Sequence, residues 1–244
     1  MLVTLFVVVI LSVLWFLSNY NFWRPVVSID YPRVLMYHSI DTKQGDLFVS
    51  PKKFEQQVKY LAENNYKFFT VSEILKIKSS EKCVAITFDD GFADNYIHMF
   101  PIIKKYKAKA TIYLSPNIQG IEKLSDQQIQ EMQQSGLCEF GAHTLNHVNL
   151  STLPKAEAAF EVTESKKEVE RLTGTECRGF AYPYGRYSDE TVEIVKAAGF
   201  QSAVTVKKGI DNIPDDFRIK RISILGKTNF LQFYIAITRG RYRV

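Results

Sequence analysis

Cysteine is scarce in this chain: three among 244 residues, Cys83, Cys138 and Cys177. An odd number without metal-type spacing argues against a disulfide framework, and the three read as reduced thiols in or near the core. Charge of one sign is also missing. Lys and Arg total 31 against 26 Asp and Glu, a net +5. That mild excess suits an anionic membrane surface or a phosphorylated ligand without selecting either. There is no nucleic-acid motif, and the basic residues are scattered until the chain's end, so nucleic acid is not an expected partner. No internal repeat or low-complexity run is present. Histidines number only four, His38, His98, His143 and His147, so any imidazole chemistry must draw on these. What remains is an ordinary globular mix, 46% apolar and 23% charged, long enough for one substantial α/β domain.

The first 17 residues lack charge altogether, and only Thr4 and Ser12 are polar among them. Continued to Trp23, the stretch approaches the ~20 residues that span a bilayer. Trp15, Tyr20, Phe22 and Trp23 resemble an interfacial aromatic belt. A cleaved signal peptide would want a basic start and a small-x-small site, and both are missing. A buried helix is the plainer reading, but few soluble helices are apolar on every face. The expected organisation is a transmembrane anchor over 1–23, a linker over 24–32 and one domain over 33–244. Arg24, Arg33 and Lys43 follow the span and no cation precedes it. The positive-inside rule therefore places the domain in the cytoplasm, at a bacterial inner membrane, rather than on the periplasmic or extracellular side. The unpaired cysteines agree with a reducing compartment.

Beyond the linker, short apolar runs alternate with helical patterns. Candidate strands cover 33–37, 67–71, 84–88, 109–114, 138–143, 178–183, 202–206 and 217–224. Helix starts stand between them: Ser50 before Pro51, Ser125 with Gln128, and Ser188 ahead of Val192 and Val195. Such alternation predicts a mostly parallel sheet wrapped by helices, either open or closed as a barrel. In both forms the ligand site lies at the C-terminal ends of the strands.

Three motifs sit at such ends. In VAITFDDG, an apolar strand runs into Asp89 and Asp90, two like charges that repel unless a cation offsets them. In HTLNH, His143 and His147 share a face if the segment turns helically. Two imidazoles and a carboxylate suit a catalytic divalent metal, zinc best, with iron, cobalt or nickel as alternatives. One Asp then ligates while the other accepts a proton from activated water. Alone, DD is usually a turn or cap and HxxxH a solvated helix face; together at strand ends they favour a site. The third, FAYPYGRYSD, makes a tight loop that can aim backbone N–H groups at an oxyanion, although taken by itself a plain turn between strand and helix is the better reading.

In this order, TFDDG, HTLNH and YPYG resemble the polysaccharide deacetylase family, carbohydrate esterase family four, which includes the nodulation-type chitooligosaccharide deacetylases. VLMYHSI and DDGFADNY look like the subgroup acting on poly-β-1,6-N-acetylglucosamine or lipid-linked amino sugars. The resemblance implies a distorted (β/α) barrel with fewer regular strands than eight. It implies Asp89 as general base, Asp90, His143 and His147 as metal ligands, most simply for Zn2+, and the Tyr184 backbone N–H as oxyanion donor. The reaction implied is hydrolysis of an N-acetyl amide to acetate and free amine. Two departures stand out. The arginine that orients the base in many members, two residues before the proline of the third motif, is here Ala181; Arg178 or Arg186 is the candidate substitute. The acid histidine usual near the C-terminus is absent, which leaves His38 as the candidate general acid, against the alternative of a structural histidine packed under the site. His98, within a helical pattern, is expected to be structural or solvated.

The substrate expected for a cytoplasm-facing, tethered enzyme is an amino sugar linked to a polyprenyl phosphate carrier or a glycolipid precursor. Exported poly-β-1,6-N-acetylglucosamine is the alternative, and a non-catalytic, membrane-anchored glycan-binding protein is the alternative of another class. No obligate protein partner is evident. The tail, with Arg239, Arg241 and Arg243 after an apolar run, reads best as an amphipathic closing helix, with contact to an anionic leaflet or carrier phosphate as the rival.

Overall fold

The structure, a computed structural model, describes residues 2–20, 22–77, 81–212 and 215–242. All eight expected strands form: β1 (Arg33–Tyr37), β2 (Lys67–Phe69), β3 (Cys83–Asp90), β4 (Ala110–Leu114), β5 (Cys138–Ala142), β6 (Gly179–Ala181), β7 (Ser202–Lys208) and β8 (Ile219–Ser223). Seven close into a parallel ring, β1–β3–β4–β5–β6–β7–β8 and back to β1. The eighth, β2, shares one edge of β3 with β4. It pairs with Cys83 to Ala85, and β4 takes over from Ile86. The expected distorted barrel is therefore present. β3 is buried along all eight residues, as a near-continuous apolar run in a parallel sheet should be.

The helices α1 (Leu2–Asn19), α2 (Pro51–Glu63), α3 (Val71–Ile74), α4 (Phe100–Tyr106), α5 (Asp126–Gln134), α6 (Lys155–Thr173), α7 (Asp189–Ala197) and α8 (Phe230–Arg239) follow in chain order. Ser50, Ser125 and Ser188 cap α2, α5 and α7 as read from sequence. Two boundaries move. The strand expected over 67–71 stops at Phe69, because Thr70 and Glu73 form a capping box that starts α3. The helical run ahead of Tyr106 opens with a wider π-type turn, Asn95–Met99. Pro101, without an N–H, stands at the junction and accounts for the widening.

Apolar side chains form two layers. The larger lies between strands and helices, with Leu35, Phe54, Ile86, Phe88 and Phe180. The smaller fills the barrel itself, with Val34, Ala85, Tyr113, Val204 and Ile219. Tyr113 reaches across the interior because Gly141 leaves room: a Cβ there would meet the Tyr113 ring at 2.5 Å and the Gly179 carbonyl at 2.7 Å. The three cysteines are free and buried. Arg33 is buried too, and its guanidinium gathers the carbonyls of Val27, Ser28, Ile29, Tyr31 and Ile237, tying the expected linker to α8. The tail is the expected amphipathic closing helix, capped by Asn229 and ended by Gly240, with Phe233, Ile235, Ala236 and Ile237 buried; Arg243 lies outside the described residues.

The expectation of a spanning anchor is met only as far as an apolar helix. α1 has 18 residues, about 27 Å of helix against a hydrocarbon core of about 30 Å. Among the described residues no helix is long and apolar enough to cross a membrane.

Candidate active site

The C-terminal ends of β1, β3, β5 and β6 carry His38, Asp89 with Asp90, His143, and the Pro183–Gly185 turn. Asp90, His143 and His147 meet: one ligand atom from each lies within 4.8 Å of the others. Asp90 Oδ1 is 3.6 Å from His143 Nε2 and 3.3 Å from His147 Nε2. The His143 Nδ1 lies 2.7 Å from the Ala181 carbonyl. Donation there places the proton on Nδ1 and leaves Nε2 a free lone pair, the usual device for orienting a metal-ligating imidazole.

Two observations fit a cation. Asp90 Oδ1 is buried and has no hydrogen-bond partner, although both imidazole Nε2 atoms face it; such an orphan is costly unless something else satisfies it. Burial, with the neighbouring Asp89 charge, pushes the Asp90 carboxyl up to about 7, while burial pulls His143 down to about 4 and lowers His147 as well. Neutral imidazoles beside a carboxylate that resists ionising form an O, N, N set that could hold a divalent metal ion.

HTLNH does not turn helically. Its loop contains two residues in the left-handed region, Thr144 at φ 61° and His147 at φ 54°. These bends, rather than helical spacing, bring His147 back over His143, with ring centroids 5.0 Å apart. Asp90 (φ 74°) and Tyr184 (φ 58°) are also left-handed, so four of the six non-glycine residues with positive φ among those described stand at this one site. Backbone strain of ~1–3 kcal/mol per residue is typically held at functional sites.

Asp89 is not free to move. Arg221 of β8 grips it with two parallel hydrogen bonds, Nη1 to Oδ1 and Nη2 to Oδ2, each 2.7 Å. Arg221 is itself fully buried. It also donates from Nε to the Thr205 carbonyl and from Nη1 to Thr87, and lies over the Tyr113 ring. Burial alone would raise the Asp89 carboxyl; the Arg221 charge and its hydrogen bonds outweigh burial and hold it well below the usual carboxylate range. This corrects the expectation for the base-orienting arginine. Arg178 precedes β6, at the far end of the strand, and pairs with Glu176; both Asp89 oxygens belong to Arg221, leaving Arg186 no such role. Sequence offered only a weak hint, that Arg221 stands two residues after Ile219 in the last candidate strand and so shares its inward face; nothing local names its partner.

His38 Nε2 stands 4.0 Å from Asp89 Oδ2, and burial lowers its pKa. The backbone of His38 is held by Asn95, whose amide donates to its carbonyl. Tyr184 faces the opening: its ring meets His147 edge-on at 4.7 Å and its hydroxyl donates to the His147 carbonyl. Gly185 is required in that turn, because a Cβ would lie 2.1 Å from Val206 Cγ2. His98 lies on the π-type turn, outside the Asp90–His143–His147 group.

The sequence pattern of the polysaccharide deacetylase family matches residues 76–203. The chain is 37% identical over 182 residues to YxkH of Bacillus subtilis (strain 168), a protein named as a polysaccharide deacetylase; the match covers 72% of this chain and 64% of that relative. It is 32% identical over 195 residues to the poly-β-1,6-N-acetyl-D-glucosamine N-deacetylase of Staphylococcus aureus (strain MSSA476), covering 72% of this chain and 67% of that one. The chain thus spans about two thirds of the length of these relatives. Among solved structures, the Streptococcus pyogenes deacetylase PplD in complex with acetate superposes with a TM-score of 0.78 at 28% identity, over 85% of this chain and 98% of that one.

Proposed function

Because the chain belongs to the polysaccharide deacetylase family, we propose that it is a metal-dependent N-deacetylase acting on N-acetylhexosamine units of a glycan. The observation that carries this reading is the orphaned Asp90 oxygen facing two imidazole Nε2 atoms beside an arginine-clamped Asp89. Asp90, His143 and His147 would hold the cation. When bound, a divalent ion there supplies Lewis-acid activation of water and of the amide carbonyl.

The chain's own groups supply the rest. Asp89, kept ionised and fixed by Arg221, accepts the proton of the attacking water. The Tyr184 backbone N–H donates to the oxygen that gains charge. His38 rests neutral because of burial, so it receives the proton passed on by Asp89 and delivers it to the departing amine. The products are acetate and a free amino sugar.

Poly-β-1,6-N-acetylglucosamine is the first choice of substrate, supported by the activity named for the S. aureus relative. A lipid-carrier-linked amino sugar is the second, supported by the exposed apolar surface of α1, which would hold the barrel close to lipid. Attachment to the inner membrane with the barrel on the cytoplasmic side belongs to this second reading, supported by the cations that follow α1. The test is acetate release from each glycan by zinc-loaded protein. Asp89→Asn should cut turnover by about 10²–10⁴-fold while zinc content stays intact. Equal turnover in Asp89→Asn removes the assigned base, and no acetate from either glycan favours a glycan-binding protein.

A further inference from the structure

The loop that carries His143 and His147 is held by a residue outside all three motifs. Glu161, on the buried face of α6, is 8% exposed. Its Oε2 accepts the backbone N–H groups of Leu145 at 3.0 Å and Asn146 at 2.9 Å; its Oε1 accepts the Asn146 side-chain amide at 2.5 Å. These contacts fall between the two left-handed residues, Thr144 and His147. The Leu145 carbonyl is tied on its other side to the Asn117 N–H at 2.8 Å. His143 has an independent anchor, the Ala181 carbonyl on β6. The His147 ring lies between those of His143 and Tyr184, and among the described residues no backbone carbonyl anchors it as Ala181 anchors His143.

We infer that Glu161 is a positioning residue for His147: it locks the left-handed loop that aims Nε2 at the metal site and leaves His143 unaffected. The physical reason is the strain. A loop with two non-glycine residues at positive φ relaxes toward ordinary dihedrals unless hydrogen bonds over-determine it, and one buried carboxylate supplies three of them. Partners of this kind set metal affinity without touching the metal.

This inference rests on the metal-site reading. Zinc affinity is measured by chelator competition on wild type, Glu161→Ala, Glu161→Gln, His147→Ala, His143→Ala and the two doubles with Glu161→Ala, alongside thermal unfolding of each metal-free protein. Glu161→Ala should weaken zinc about 10- to 100-fold. Combined with His147→Ala it should cost nothing further, because the ligand it positions is gone; combined with His143→Ala the two losses should multiply. Glu161→Gln, which keeps the shape and one acceptor oxygen, should fall between wild type and Glu161→Ala, and it carries the test if Glu161→Ala fails to fold. Wild-type affinity in Glu161→Gln and Glu161→Ala, or losses that multiply with His147→Ala, overturn the inference while the metal site stands. A wild type that binds no zinc overturns both.

Discussion

At the scale of the residue, the Arg221–Asp89 pair has the sharpest consequences. Both partners are almost wholly buried, so removing one leaves an uncompensated charge, which typically costs ~3–5 kcal/mol. Arg221→Met should therefore destabilise the metal-free protein by about that amount at pH 7, and the effect should depend on pH. In the wild type the folded Asp89 pKa lies below its unfolded value of about 3.9. Its contribution is present above that unfolded value and is lost only as pH falls through the depressed folded value. Without Arg221, burial dominates and the folded pKa rises above the unfolded one. The sign then reverses, and the variant loses stability as pH rises from about 3.9 through its new folded pKa. Urea denaturation at pH 4 and pH 7 checks this: the gap between wild type and variant should be wide at pH 7 and narrow at pH 4. An equal gap at both would mean that Asp89 never titrated with the pair. The same residues show what was legible. Asp89, Asp90, His143 and His147 announced themselves as like charges and paired imidazoles at strand ends. Arg221 and Glu161 did not, because each does its work through a partner distant in sequence, 132 residues away for Asp89 and 15–16 for the loop.

At the scale of the element, local rules went far because each strand and cap is specified by its own residues. Apolar runs gave all eight strands, and serine caps gave three helix starts. What local rules missed was competition for the same residues. Thr70 serves a cap instead of prolonging β2, and the HTLNH segment bends left-handed under tertiary hydrogen bonds instead of coiling. The closing of the ring was legible only through the family resemblance, since β-α alternation fits an open sheet equally and closure depends on how side chains fill the interior. Gly141 is the place to test that filling. Gly141→Ala puts a methyl group 2.5 Å from Tyr113 Cδ1 and 2.7 Å from the Gly179 carbonyl, so β5, β6 or the Tyr113 ring must shift. Such overpacking costs ~1–3 kcal/mol, which urea denaturation should report. Replacing Tyr113 with Leu in the same protein should recover part of the loss. A second substitution that recovers nothing would place the strain at the Gly179 backbone instead of the ring.

At the scale of the whole molecule, the barrel and α1 obey different physics. From residue 3 to residue 17 every α1 side chain is exposed, with Val3 at 77%, Phe6 at 66% and Leu11 at 60%. The barrel hides its apolar surface, whereas α1 presents apolar surface on all sides, and a patch of that extent calls for a lipid or protein cover. The junction between the two lies at Tyr20 and Phe22, which pack against the core; Phe16 stacks on Phe22 with centroids 5.6 Å apart. A chain shortened by residues 1–14 keeps that junction and loses only exposed helix. It should unfold within about 2 °C of the full chain, because almost no buried area is lost and a shift of that size corresponds to well under 1 kcal/mol. It should release acetate at the full chain's rate from soluble glycan. The difference should appear with lipid: the full chain should sediment with phosphatidylcholine vesicles and the shortened chain should stay in solution. Sedimentation of both would move the lipid contact onto the barrel. A large drop in unfolding temperature would show that α1 belongs to the barrel's fold, with its apolar surface a structural feature in place of an attachment device.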